Sequence, residues 1–254
     1  EVVPFDDYYE PILKSLASQA AVSIQNANLT SQLQEARLDT IFRLGIAAEY
    51  RDKETAMHIK RMAGYCTVLA EAMNWPKDRI KLLTNAAPMH DVGKVGIPDA
   101  ILLKKGLLTP EERKIMEYHT VIGGLILKDY KDDLTRLSHL VAVSHHEKWD
   151  GSGYPLGLSK NDIPIEGQIA AIADVYDALS SKRVYKDAFS DEKVFSIMTE
   201  SRGTHFNPEL VDLFFHEIDK VKFVKDNFKD SGETFDVLNI IGKENIKDLI
   251  DYNS

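Results

Sequence analysis

Apolar residues recur along this chain at intervals of three and four, the spacing that lines one face of a helix, and strand-like alternation is scarce. Helix-start signals fall where that periodicity begins. Thr109-Pro110-Glu111-Glu112 offers a capping hydroxyl, proline at the first helical position and glutamate at the third, which together form a capping box. Asn207-Pro208 opens another helix in the same way, with Leu210, Val211, Phe214 and Phe215 following at core-facing spacing, and Gly203 closes the helix before it. The pattern predicts an all-α fold.

The first fifty residues follow a different plan. Between Tyr9 and Tyr50 only Pro11 and Gly45 interrupt the helix formers, and Leu13, Leu16 and Ala20, then Leu33, Ala36, Ile41 and Leu44, keep helical spacing. A pattern of ~40 residues is longer than a small domain needs and reads as a connector or coiled-coil helix. The plainer alternative is two helices with a break near Asn26–Asn28. On the first reading the chain forms a homodimer through residues 9–50. The stretch from Val221 to Ser254 mixes lysines, acids and isolated apolar residues, and reads as a peripheral extension without chemistry. The expected division is thus 1–38 as a connector, 39–220 as the working domain and 221–254 as the extension.

Composition narrows the class of function. With 44% hydrophobic residues among 254, a real core is within reach. The net charge of -9 argues against a broad surface for a nucleic-acid polymer or a membrane. No apolar run approaches the ~18 residues of a membrane span, and no signal peptide is visible. The one cysteine, Cys66, excludes an internal disulfide and fits a reducing, cytoplasmic setting. The chain begins with Glu1 rather than Met, so a longer parent protein is expected.

Candidate chemistry centres on imidazoles and carboxylates. His145 and His146 are adjacent, a poor choice for packing but a good one for gripping metal, and the glycine-rich run Trp149-Asp150-Gly151-Ser152-Gly153-Tyr154-Pro155 follows them. Glu54 and His58 stand four apart and share a helix face. His90 and Asp91 point about 100° apart, which suits an aspartate bridging two metals with the histidine capping one; Pro88 should bend the helix ahead of them. His119 is placed at the far end of the helix opened by Thr109. Asp174 lies in the small, apolar segment Ile169–Val175, where an unpaired charge is costly and a cation is wanted. A lone histidine is more often a hydrogen-bonded core residue, and Glu54-His58 alone would be a surface pair. The joint pattern changes that balance, and His139, His205 and His216 stay outside it. It points to a metal-centred hydrolase of phosphate esters.

In order, Glu54-x3-His58, His90-Asp91-x2-Lys94, His119, His145-His146, Gly153-Tyr154-Pro155 and Asp174 resemble the HD-GYP phosphodiesterases, a branch of the HD metal-dependent phosphohydrolases. The resemblance runs from about Asp39 to Ile218 and includes Gly96-Ile97-Pro98-Asp99 and Ala173-Asp174-Val175-Tyr176-Asp177-Ala178. Ser18–Ala27 is similar to the closing helix of a GAF sensory domain. The first resemblance implies hydrolysis of cyclic di-GMP to linear pGpG, with GMP as a further product. It also implies metals held by Glu54, His58, His90, Asp91, His119, His145, His146 and Asp174. Two or three divalent ions, iron or alternatively manganese, are expected, and Glu54 favours three.

Electrostatics agrees with that expectation. Three carboxylates supply about -3 and the ions about +4 to +6, so a filled site attracts a phosphodiester despite the acidic chain. Two such ions would share an activated hydroxide and stabilise the leaving oxygen, so no protein nucleophile is needed. Lys94, one turn past Asp91, is positioned to neutralise a phosphate oxygen. Arg183 and Lys186 match the family's phosphate-contacting positions. Tyr154 is expected to bond a phosphate or pack on a guanine. Asp177, one turn after Asp174, is grouped with the substrate's surroundings as the group that orients a ligand or a basic residue. The competing readings are a phosphohydrolase of another cyclic dinucleotide and a sensor that binds cyclic di-GMP without turnover.

Overall fold

The computed structural model describes residues 9–52, 56–181 and 188–229, and among them there is no strand, only an isolated bridge between Arg202 and Phe206. The expected all-α class holds. Contacts divide the chain into residues 1–41 and 42–254. The described residues of the first unit belong to α1 (Tyr9–Arg51), one helix unbroken through Asn26–Asn28 rather than two with a break there. From residue 9 to 37 every position of it is exposed.

The second unit packs α2 (Ala56–Ala72), α3 (Lys77–Ala86), α4 (Asp99–Leu102), α5 (Pro110–Ile126), α6 (Asp133–Ser144), α7 (Ile165–Ser180), α8 (Asp191–Glu200), α9 (Pro208–His216) and α10 (Ile218–Asn227). Helix α2 lies at its centre and touches α3, α7, α9 and α10, while α6 bridges α3, α5 and α7. Its inward face carries Ile59, Met62, Cys66 and Leu69, all fully buried at the three- and four-residue steps of a helix. Tyr176 of α7 fills the space between Tyr65 and Phe214, its ring edge-on to both at 5.1 and 5.0 Å. Burying side chains of this size contributes about 1.5–3 kcal/mol each.

The caps form where the sequence places them. Thr109 accepts from the Glu112 amide while Glu112 accepts from the Thr109 amide at 2.8 Å, and Asn207 accepts from the Glu209 amide. Helix α8 ends at Glu200, and Gly203, with φ of +80°, carries the turn that follows. Pro88 stops α3 rather than bending it: the chain tightens into a 3₁₀ turn at Ala87–Met89 and delivers His90. A second 3₁₀ turn, Val92–Gly96, follows Asp91. Part of the C-terminal stretch read as peripheral is built into the core, since Val221 of α10 is buried and Val224 faces Gly64 of α2. No helix among the described residues is long and apolar enough to cross a membrane.

Candidate metal centre

Four segments converge on one buried spot. His58 comes from α2, His90 and Asp91 from the link between the two 3₁₀ turns, His119 from the middle of α5 rather than its far end, and His145 and His146 from the C-terminal cap of α6. Neighbouring rings stand 4.1–5.5 Å apart in a chain that runs His58, His90, His145, with His119 and His146 beyond. His58, His90, His119 and His145 are at most 2% exposed.

The outer nitrogens of these rings decide what the inner ones can do. Nδ1 of His90 bonds the Ala87 carbonyl at 3.0 Å, that of His119 the Met116 carbonyl at 2.7 Å, and that of His145 the Val141 carbonyl at 3.0 Å. A carbonyl oxygen only accepts, so each Nδ1 carries the proton and each neutral ring turns a bare Nε2 inward. His58 does the same through Asp177, whose Oδ2 accepts from Nδ1 at 2.8 Å. The inward atoms then meet an acceptor. His119 Nε2 is 3.1 Å and His145 Nε2 3.5 Å from Asp91 Oδ1, while His90 Nε2 is 3.2 Å from Asp91 Oδ2. All three nitrogens, and Asp91 Oδ1, are buried without a hydrogen-bond partner. Lone pairs facing one another across 3 Å in a dry site need a cation between them. The residues therefore fit divalent metal, with imidazole and carboxylate donors and no thiolate.

Two donor groups lie side by side, Asp91 with His119, His145 and His146, and Glu49 with His58 and His90. Asp91 presents one oxygen toward each. Burial alone would raise its pKa, but Lys94 and His90 hold it well below the usual carboxylate range. Burial also pushes His145 and His146 down, so both rings stay neutral. Burial lowers the pKa of His90, but Asp91 and Glu49 outweigh it and push it up to about 9, a pull toward positive charge at Nε2 that a metal ion would answer in place of a proton. Asp174 stands at the rim, its Oδ1 4.0 Å from His58 Nε2.

Lys94 is partly buried and already engaged. Its ammonium is 2.6 Å from Asp52, 2.7 Å from Asp91 and 3.5 Å from Glu49. Tyr154 sits over the metal-facing rings, 4.8 Å from His146 and 6.3 Å from His119. Its loop is pinned by Glu147, whose carboxylate accepts from the amides of Leu156 at 2.7 Å and Leu158 at 2.9 Å. Gly153 is required there, because a Cβ would come within 2.3 Å of the Lys148 nitrogen.

One expectation is corrected. Asp177 does not face a substrate: it is 1% exposed and spends both oxygens on His58 and on Arg61, at 2.6 and 2.9 Å. Three residues past Asp174 the helix has turned by roughly 60° short of a full circle, enough to aim it at α2 instead. It holds His58 and Arg61 in place. Glu54, Arg183 and Lys186 lie outside the described residues. Sequence reasoning missed Glu49 and Glu147. The signal for Glu49 resembled that of Asp174, an acid inside a small, apolar run, Ile46-Ala47-Ala48-Glu49.

The profile of a known family, the HD domain, matches residues 27–210. The chain is 42% identical over 209 residues to a 3′3′-cGAMP-specific phosphodiesterase of Vibrio cholerae, covering 82% of this chain and 40% of that protein. It is 39% identical over 211 residues to a cyclic di-GMP phosphodiesterase of Thermotoga maritima, covering 83% and 57%. A solved cyclic GMP-AMP specific phosphodiesterase of V. cholerae shares the fold, with a TM-score of 0.56, 15% identity, and coverage of 80% of this chain and 53% of that one. The chain thus spans about half the length of the relatives it matches.

Proposed function

Because this chain belongs to the HD domain family, in its HD-GYP branch, we propose that it is a metal-dependent phosphodiesterase that opens cyclic di-GMP to linear pGpG. The observation that carries the reading is the set of bare Nε2 atoms aimed at Asp91 with no proton to share. Divalent ions, iron or manganese by donor type, supply positive charge for the phosphodiester and an activated water. The chain's own groups do the rest. Asp91 offers an oxygen to each of the two donor groups, and His119, His145 and His146 complete one of them. Glu54 and Asp174 are proposed as further ligands, and His58 is held for the same task by Asp177. Lys94, balanced now by three carboxylates, is proposed to turn its charge toward a phosphate oxygen when those carboxylates are engaged. Tyr154 covers the cluster and is placed to meet a guanine or a phosphate, with Arg183 and Lys186 as the remaining phosphate contacts. Pairing through α1 and a cytoplasmic setting belong to the same proposal, the latter resting on the single buried cysteine.

A second substrate is favoured by one observation: a relative of comparable likeness is named for 3′3′-cGAMP. Purified chain loaded with iron or manganese without oxygen should be given each dinucleotide separately and the products separated by chromatography. Linear pGpG formed faster than linear products of 3′3′-cGAMP is the expected result. The reverse order moves the substrate assignment, and tight binding of either nucleotide without cleavage makes the chain a sensor instead.

A further inference from the structure

We propose that Glu49, on the last turn of α1, is itself a metal ligand that closes a separate metal position with His58 and His90. Its carboxylate is 1% exposed, yet neither oxygen has a hydrogen-bond donor. The nearest ring nitrogen, His90 Nε2, is 3.8 Å from Oε1. Because the Nδ1 of that ring is tied to the Ala87 carbonyl, the neutral ring has no proton to give. The nearest ammonium, Lys94, is 3.5 Å from Oε2 but donates to Asp52 at 2.6 Å. A buried carboxylate left this way is costly unless a cation stands within reach. Glu49, His58 and His90 each offer one atom within 4.8 Å of the other two, and all three are buried. An oxygen and two imidazole nitrogens suit a divalent transition ion.

The inference rests on the metal-dependent reading above and adds to it a ligand from outside the motif-bearing helices. It also places the last turn of the long helix in the site, so that a change in that turn is a change in the metal's surroundings. The test counts ions per chain by elemental analysis after oxygen-free loading with Mn²⁺, alongside thermal melts of metal-free and loaded protein. Glu49→Gln keeps the shape and removes the charge. It is expected to lower the count by one, to weaken the remaining uptake of that ion at least ~10-fold, and to leave the metal-free melting temperature unchanged or higher, since a buried uncompensated charge is gone. Lys94→Met is expected to keep the ion, because a competing cation has been removed.

Full occupancy with unchanged affinity in Glu49→Gln overturns the assignment. So does equal loss of the ion in Lys94→Met, which would make Glu49 a mere counter-charge for the lysine. A metal-free melting temperature that falls in Glu49→Gln while the ion count holds also overturns it. The two readings fail separately: wild-type protein that holds its ions but cleaves no dinucleotide ends the functional proposal and leaves Glu49 a ligand.

Discussion

Asp177 shows how a residue without access to substrate can still govern the site. Its carboxylate takes the Nδ1 proton of His58 and a two-pronged bond from Arg61, and it is buried against α2. Burial would raise its pKa, but His58 and Arg61 hold it far below the usual carboxylate range. A depressed folded value means that stability is present above the unfolded value, near 3.9, and is lost as pH falls from there toward the folded one. His58 works the other way: burial lowers its pKa but Asp177 raises it overall, so its share is present below about 6.5 and fades as pH rises through the folded value. Metal-free protein should therefore melt highest between roughly pH 4 and 6.5 as far as this pair decides. Asp177→Asn should remove that dependence and destabilise by roughly 3–5 kcal/mol, because Arg61 stays buried without its counter-charge. Melts from pH 3 to 8 by circular dichroism would check both, and a variant with wild-type pH dependence would refute the account. The roles of Asp174 and Asp177 were only half legible in the sequence. Their spacing shows two acids on neighbouring faces of one helix, but which face meets α2 is settled by tertiary packing.

At the scale of elements, the site depends on how closely a 3₁₀ turn can approach a helix. The turn Val92–Gly96 lies along α5, and a Cβ on Gly93 would fall 1.8 Å from the His119 carbonyl oxygen and 2.4 Å from the Gly123 nitrogen. Both are backbone atoms and cannot swing aside. The same turn holds Lys94 and follows Asp91, and α5 holds His119, so any retreat separates the two sides of the cluster. Arg51 fixes the turn from its other side, donating to the carbonyls of Lys94 and Ile97 at 3.0 Å and to that of Val95. Gly93→Ala should lose roughly 1–3 kcal/mol as an overpacked contact and bind metal less tightly, read by thermal melts and Mn²⁺ titration. Unchanged affinity in a destabilised variant would mean that the turn tolerates movement. Elements marked by their own caps, α5 and α9, could be found from local chemistry alone. Glu49 could not, because eight residues and the end of a helix lie between it and His58, and only the closed fold brings them together.

For the whole molecule, the first unit poses a question the second does not answer. Residues 9–37 of α1 are exposed throughout, and Ile12, Leu13, Leu16, Val22, Ile24, Leu29 and Leu33 each leave 45–72% of their surface open. An isolated helix gains little from propensity alone, and most helical stability in proteins comes from packing an apolar face. Local supports are weak here: an exposed Lys14–Glu10 pair adds ~0.3–0.5 kcal/mol at best, and Ser18 and Thr30 bond back to carbonyls of their own helix. The proposed partner is another copy of the same helix, since Leu13, Leu16 and Ala20 step by three and four as a two-helix seam requires. The chain should sediment at about twice its 28.6 kDa in the tens-of-micromolar range, and Leu13→Glu with Leu16→Glu should bring it to the monomer mass. Both substitutions lie in residues 1–41 while the described metal donors lie in 42–254, so ion count per chain should not change. Wild-type protein that sediments as a monomer at ~100 µM would leave the exposed stripe without its second copy and end the dimer proposal. A doubly substituted chain that stays dimeric would instead place the pairing surface in the second unit.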